Sequence, residues 1–119
     1  MASSQAVKRK LSGSTDGKPI KVTSTETSGA VIIHTSVAGT TDGTYDEIWL
    51  WAYNSHTSAV TLYIEYGDFE LPLQITIPSG VGKVPIEPGI PFQNSLTIKA
   101  YASVADVLAI QGFVNHITD

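Results

Sequence analysis

Alternation of apolar and polar residues runs through the chain from Ile20 onward. It is clearest in residues 59–66, where Leu62 and Ile64 face one way and Tyr63 faces the other. Residues 96–102 repeat the pattern. Because successive side chains of a strand point to opposite faces, such alternation predicts strands that bury one face. We therefore expect a protein built from half-buried strands.

Turn-forming glycine, proline, asparagine and serine residues divide the alternating pattern into eight short segments. No long stretch shows the 3.6-residue period of a helix. Short strands separated by frequent turns are typical of sandwiches and barrels. The sequence thus predicts an all-β fold, a single antiparallel β-sandwich of jelly-roll type with about eight strands. The predicted strands are 20–25, 30–36, 47–54, 59–66, 73–77, 82–86, 96–102 and 107–117.

Residues 1–19 lack the alternation, and we interpret them as an extended basic N-terminal arm preceding a β-sandwich domain at 20–119. The net charge also changes sign between the N-terminal segment and the rest of the chain. Residues 1–21 carry a net charge of +4, whereas the remainder carries −8. A cationic segment on an anionic domain suits attachment to a partner. The candidate partner-binding residues of the arm are Lys8, Arg9, Lys10 and Lys18.

Composition narrows the class of protein further. Charged residues make up 15% of the chain, below the ~25% usual in soluble domains, which indicates either an assembled surface or an ordinary sandwich with a Thr- and Ser-rich exterior. The chain has no cysteine, which excludes disulfides and thiolate metal sites. We find no secretory signal and no apolar run long enough to span a bilayer, so we expect no membrane association. The net charge of −4 argues against nucleic acid as the partner.

The segment 47–54 places Trp49, Trp51 and Tyr53 on one face of a strand and Leu50 and its neighbours on the other. Both faces of this strand are therefore apolar. Three interpretations remain open: a central strand covered on both sides, a subunit interface, or an open aromatic platform that stacks on sugar rings. Trp49, Trp51 and Tyr53 are accordingly the candidate interface aromatics.

The sequence offers no catalytic or cofactor-binding constellation, and we expect neither an enzyme nor a cofactor. The three histidines lie in separate segments without a metal-ligand spacing, so a metal site would require the fold to gather them with a carboxylate. The acidic pair Asp68 and Glu70 lies in a Gly-containing loop, where solvated acids are common. Residues 79–82 are glycine-rich but lead into a strand, whereas a phosphate-binding loop leads into a helix.

Several runs of the chain form a recognisable succession of strands and turns. This succession resembles small proteins encoded beside the capsid genes of tailed bacteriophages and prophages, and the similarity covers most of residues 9–118. The runs are 11–17, 46–54, 75–78, 84–91, 94–102 and 112–117.

The resemblance implies a virion structural protein, most simply a capsid decoration or cement protein that attaches to the head shell and stabilises it. The implied partner is the major capsid protein or another virion protein, and the implied location is the capsid surface after synthesis in the host cytoplasm. We expect a homo-oligomer, with a trimer favoured because it would match a threefold position of a shell. Two alternatives stay open: a neck or tail accessory protein, and a carbohydrate-binding module that uses Trp49, Trp51, Tyr63 and Tyr66.

Overall fold

The computed structural model describes residues 4–119, and this part of the chain consists of strands joined by turns and loops. It contains no helix and hence none able to cross a membrane. The nine strands of the described residues are β1 (Gln5–Lys10), β2 (Ile20–Lys21), β3 (Val31–Thr35), β4 (Tyr45–Asn54), β5 (Val60–Tyr66), β6 (Leu73–Ile77), β7 (Val84–Phe92), β8 (Thr97–Ala102) and β9 (Leu108–Thr118).

The strands form two antiparallel sheets, as predicted. Sheet A has the order β1-β9-β4-β7, with β2 also paired to β9, and sheet B has the order β3-β8-β5-β6. When β1 and β2 are counted as one interrupted strand, the pairing is nested: the first strand pairs with the last, β3 with β8, β4 with β7 and β5 with β6. The all-β sandwich prediction is confirmed.

Alternation along the strands fills the space between the sheets. In β4 every second residue is buried, with Ile48, Leu50 and Ala52 pointing inward. β5 contributes Leu62 and Ile64 from the opposite sheet. Full burial of one such aliphatic side chain stabilises the fold by about 1.5–3 kcal/mol. Hydrophobic burial between two amphipathic sheets therefore holds the sandwich together.

The N-terminal segment is part of the sandwich and does not project from it. β1 runs antiparallel to Phe113–Thr118 of β9, and β2 continues along the same edge at Ala109–Ile110. Between them the chain leaves the edge, and Leu11, only 1% exposed, enters the core. The expectation that all strands follow Ile20 is therefore wrong. Residues 1–3 of the predicted arm lie outside the described residues.

β7 is longer than predicted because it tolerates three prolines. The sequence pattern predicts a strand over residues 82–86, yet the strand continues to Phe92. Proline lacks a backbone N–H and is accepted only where none is needed, as at a sheet edge or bulge. β7 is an edge strand, and its register on β4 shifts twice. Prolines at this edge also block pairing with a further strand.

Candidate binding surface

The outward face of sheet A carries a row of stacked aromatic side chains. Trp49 of β4 lies opposite Phe113 of β9 in the strand register. Both Trp49 and Trp51 stack on Phe113, with ring centroids 6.0 Å apart and interplanar angles of 12° and 25°. All three side chains are half-buried. Within residues 4–119 no third sheet covers them, so they bury one another. We call this row, with Tyr53, the aromatic face.

A lysine of β1 extends the row across the sheet. The Lys8 ammonium nitrogen lies 4.6 Å from the centre of the Phe113 ring. Strand order places Lys8 on one side of β9 and the tryptophans on the other, so Phe113 is contacted on both sides. A cation over an aromatic ring at an exposed site contributes about 0.5–1 kcal/mol. This contact fixes a charge of β1 beside the aromatics of β4.

Trp49 is held in place by polar and steric contacts. Its indole Nε1–H donates to Glu47 Oε1 at 2.8 Å, and the Asn115 amide donates to the same oxygen at 3.0 Å. On the β7 side, Gly89 has a φ of +87°, and a Cβ added there would come within 2.7 Å of the Trp49 ring. The indole therefore occupies the space that a side chain at position 89 would need, and its orientation is set before any partner binds.

Two shallow grooves border Trp51. One, of about 360 Å³, lies toward β7 between Trp49, Trp51, Pro85 and Pro88. The other, of about 390 Å³, lies toward β9 and includes Phe113 and Gly112. The groove toward β7 is mainly apolar, although Glu87 also lines it, and the groove toward β9 also contains Lys83 and Gln111. Aromatic rings form part of both walls, which suits small apolar side chains of a partner.

Lysines surround the aromatic face. Lys83 lines the groove beside Trp51, and Lys18 and Lys21 line a further groove of about 440 Å³ beside Tyr53. Together with Lys8 they place four lysines around this face, beside the acidic residues Glu47, Glu87 and Asp106. The cationic part of the sequence and the aromatic strand thus share one surface.

The structure brings most, but not all, of the predicted binding residues together. Lys8, Lys18 and the three aromatics meet on the aromatic face. Arg9 and Lys10 instead line a separate cavity with His34 and His116, and the Lys10 ammonium donates to the Ser14 carbonyl at 3.3 Å.

Sequence reasoning missed Phe113, Lys21 and Lys83 as members of this surface. Phe113 joins it through pairing of β4 with β9, a contact between distant segments. Its outward position could have been read from the alternation Gln111, Phe113, Asn115, but the pairing partner could not.

The aromatics proposed as a sugar platform do not form one surface. Tyr63 stacks on Tyr101 of sheet B, with centroids 4.6 Å apart. Tyr66 stacks on Phe92 at 5.4 Å and donates its hydroxyl to Glu87 at 2.7 Å. Burial, together with the hydrogen bond and charge of Glu87, raises the pKa of Tyr66. A neighbouring aromatic ring thus covers one face of Tyr63 and one face of Tyr66.

Two of the three histidines meet at a buried carboxylate that joins the sheets. His34 Nε2 of sheet B lies 2.8 Å from Asp46 Oδ2, and His116 Nδ1 of sheet A lies 2.8 Å from Asp46 Oδ1. The Ser12 N–H donates to His34 Nδ1 at 3.0 Å, so this nitrogen carries no proton and Nε2–H donates to Asp46. The fold thus gathers two histidines from distant segments at one carboxylate.

Competing effects set the protonation of Asp46. Burial raises its pKa, but hydrogen bonds from His116 and His34 outweigh burial, so the pKa lies below the ordinary 3.8. The carboxylate is therefore ionised at neutral pH. Among residues 4–119 no group of three His, Cys, Asp or Glu side chains has a geometry able to hold a metal ion. The arrangement ties the two sheets and the N-terminal loop together.

No protein-family model matches the chain, and no curated protein or solved structure shows significant similarity to it. The resemblance drawn from the sequence therefore stays an expectation.

Proposed function

We propose that this chain is a non-enzymatic structural protein of a bacteriophage virion that attaches to the head shell and stabilises it. The observation that carries the proposal is the juxtaposition of the basic strand β1 and the aromatic face on sheet A, linked by Lys8 and Phe113. The partner is the major capsid protein or another virion protein.

The strand pairing supports this proposal at the level of the fold. We propose that the nested antiparallel pairs form a jelly roll, the arrangement in which one long hairpin folds into two four-stranded sheets. This architecture is used by viral capsid and lectin domains. A jelly roll therefore agrees with a virion protein, although the fold alone does not determine function.

The aromatic face has the properties of a protein-binding surface. Tryptophan is among the residues that contribute most to interface energies, and held side chains lose little conformational entropy on binding. Trp49 is held by Glu47 and Phe113. The surrounding lysines favour a partner surface that is acidic around an apolar centre.

β1 offers a second kind of contact. Its side chains are all exposed, and within residues 4–119 it pairs with β9 on one side only. The other side presents backbone N–H and C=O groups to which an extended segment of a shell protein can add as a strand. The charges Lys8, Arg9 and Lys10 discourage indiscriminate pairing while permitting an acidic partner strand.

Attachment can be tested with phage shells that lack the protein. Purified chain should co-sediment with such shells, and binding should weaken as salt is raised. Lys8→Glu should reduce binding, whereas Lys99→Glu, the same charge change on sheet B, should not. Equal binding of the two variants would contradict the assignment of the surface.

Quantitative mass spectrometry of purified particles tests the location. A copy number comparable to that of the major capsid protein supports a decoration protein, and a few copies move it to the neck or tail. Absence from particles would reject the virion function. Binding to purified surface glycans, with a change in tryptophan fluorescence, would then favour the carbohydrate-binding alternative.

A further inference from the structure

The loop between β5 and β6 exposes large apolar side chains to solvent. Phe69 is 65% exposed, Leu71 is 75% exposed and Leu73, the first residue of β6, is 37% exposed. Asp68 and Glu70 alternate with them and are also exposed. We call residues 68–73 the acidic loop. Exposed apolar residues clustered in this way, with a polar rim, are typical of interaction sites.

The acidic loop is held in a defined shape. The Glu70 N–H donates to the Asp68 carboxylate at 2.9 Å, and the Leu71 N–H donates to the Asp68 carbonyl at 3.3 Å. These two bonds form a turn that presents Phe69 and Leu71 without further ordering. A preformed loop loses less entropy on binding than a mobile one.

The aromatic face complements the acidic loop in both shape and charge. It has two shallow grooves on either side of Trp51, and the loop has two exposed apolar side chains separated by one residue. Lys83 lines the groove toward β9 and Lys8 lies over the Phe113 ring, whereas carboxylates flank the apolar side chains of the loop.

We propose that the acidic loop of one copy of this chain docks on the aromatic face of a second copy. Phe69 and Leu71 occupy the grooves beside Trp51, and Asp68 and Glu70 lie near the surrounding lysines. The two surfaces differ, so the contact is head-to-tail. Such a contact closes into a ring or extends as a chain, according to the rotation between copies.

This contact goes beyond attachment to a shell, because it requires only the chain itself. A copy whose aromatic face is occupied in this way attaches to a shell through β1 and its free edge alone, whereas a copy with a free aromatic face uses both surfaces. If the purified chain does not self-associate, the proposed attachment to a shell still stands. If the protein is absent from virions, the proposed contact between copies still stands.

Sedimentation velocity and native mass spectrometry of the purified full chain test the contact. We expect concentration-dependent association that weakens as salt is raised. Phe69→Ser should weaken association by at least about tenfold, since it removes an apolar anchor. Ile32→Ser, which changes another exposed apolar residue on β3, is the matched control and should associate like the unaltered chain. Circular dichroism would establish that both variants are folded.

A mixing experiment distinguishes a head-to-tail contact from a symmetric one. Lys83→Glu disables the face and Phe69→Ser disables the loop, so each variant alone should be largely monomeric. In a mixture, the intact loop of the Lys83→Glu variant can dock on the intact face of the Phe69→Ser variant. The two surfaces that remain are both altered, so the mixture should form dimers that grow no further. Arg9→Glu, the same charge change away from the aromatic face, should leave association unaltered. A chain that stays monomeric at all concentrations, or a mixture that forms no dimer, would overturn the proposal.

Discussion

Two truncations should have different effects on stability, because the N-terminal segment contains two kinds of contact. A chain that begins at Leu11 loses β1, whose six residues pair with β9 but have exposed side chains. Each lost backbone hydrogen bond removes a net ~0.5–1.5 kcal/mol, while each residue freed regains ~1–2 kcal/mol of conformational entropy. These contributions oppose each other and are similar in size. We expect the free energy of unfolding to fall by less than about 2 kcal/mol.

A chain that begins at Ile20 also loses Leu11 and the Ser12 N–H bond to His34. Removal of a fully buried leucine side chain to Ala costs ~2–5 kcal/mol. An unpaired buried acceptor adds ~1–3 kcal/mol. The second truncation should therefore lower the free energy of unfolding by at least about 3–5 kcal/mol, a large part of the 5–15 kcal/mol typical of a domain.

Urea unfolding followed by tryptophan fluorescence measures both losses. Leu11→Ala in the full chain should reproduce much of the additional loss, and Val7→Ala, at an exposed position of β1, should have little effect. Equal destabilisation by the two truncations would refute this account, because it would place the stabilising contacts in β1.

Further predictions concern the carboxylate, β7 and the two faces of β4. Since the folded-state pKa of Asp46 is depressed, its stabilisation is present above the unfolded pKa and is lost as pH falls through the folded pKa. Asp46→Asn should therefore flatten the acid limb of stability against pH, measured by thermal melting from pH 2 to 7, and a parallel curve would contradict the role of the ionised group. Gly89→Ala should cost about 1–3 kcal/mol in urea unfolding, because it combines a left-handed φ with a clash against the neighbouring indole. Gly80→Ala, with a similar φ but open space around it, should cost less, and equal losses would exclude the clash. Leu50→Ala should cost ~2–5 kcal/mol, and Trp51→Ala, on the half-buried outer face, should cost less despite removing a larger side chain. The reverse order in melting temperature would show that the outer face is the more important one for stability.

Strands with one apolar face could be located from the sequence, and strands without one could not. β6 has the predicted bounds, and β5 and β8 differ from prediction by one residue at one end. β1 was missed because all of its side chains are exposed, so its sequence carries no alternation of apolar and polar residues. The second half of β7, beyond Ile86, was missed because proline is a strong signal for a turn, and the position of β7 at the sheet edge makes the longer strand possible.

The candidate binding surface could likewise be predicted only in part from the sequence. The i, i+2, i+4 spacing placed Trp49, Trp51 and Tyr53 on one face, and the structure has them there. Their neighbours come from pairing between distant segments: Phe113 joins through β9 and Lys8 through β1. The histidines meet Asp46 across 12 and 70 positions of sequence. Local patterns specify which side of a strand faces the core, but not which strands become neighbours.

The interior position of β9 in sheet A has a consequence for how the protein is made. β9 is the last strand of the described chain to be synthesised, yet it separates β1 and β2 from β4. Until it emerges from the ribosome, β1 and β2 have no partner, and sheet A cannot be completed beyond the pair of β4 and β7. Pairing of such distant segments is also slow, because a long loop must close before any contact is gained. We therefore expect folding to follow synthesis, and the unpaired strands of a nascent chain to depend on their charged residues and prolines to escape aggregation in the meantime.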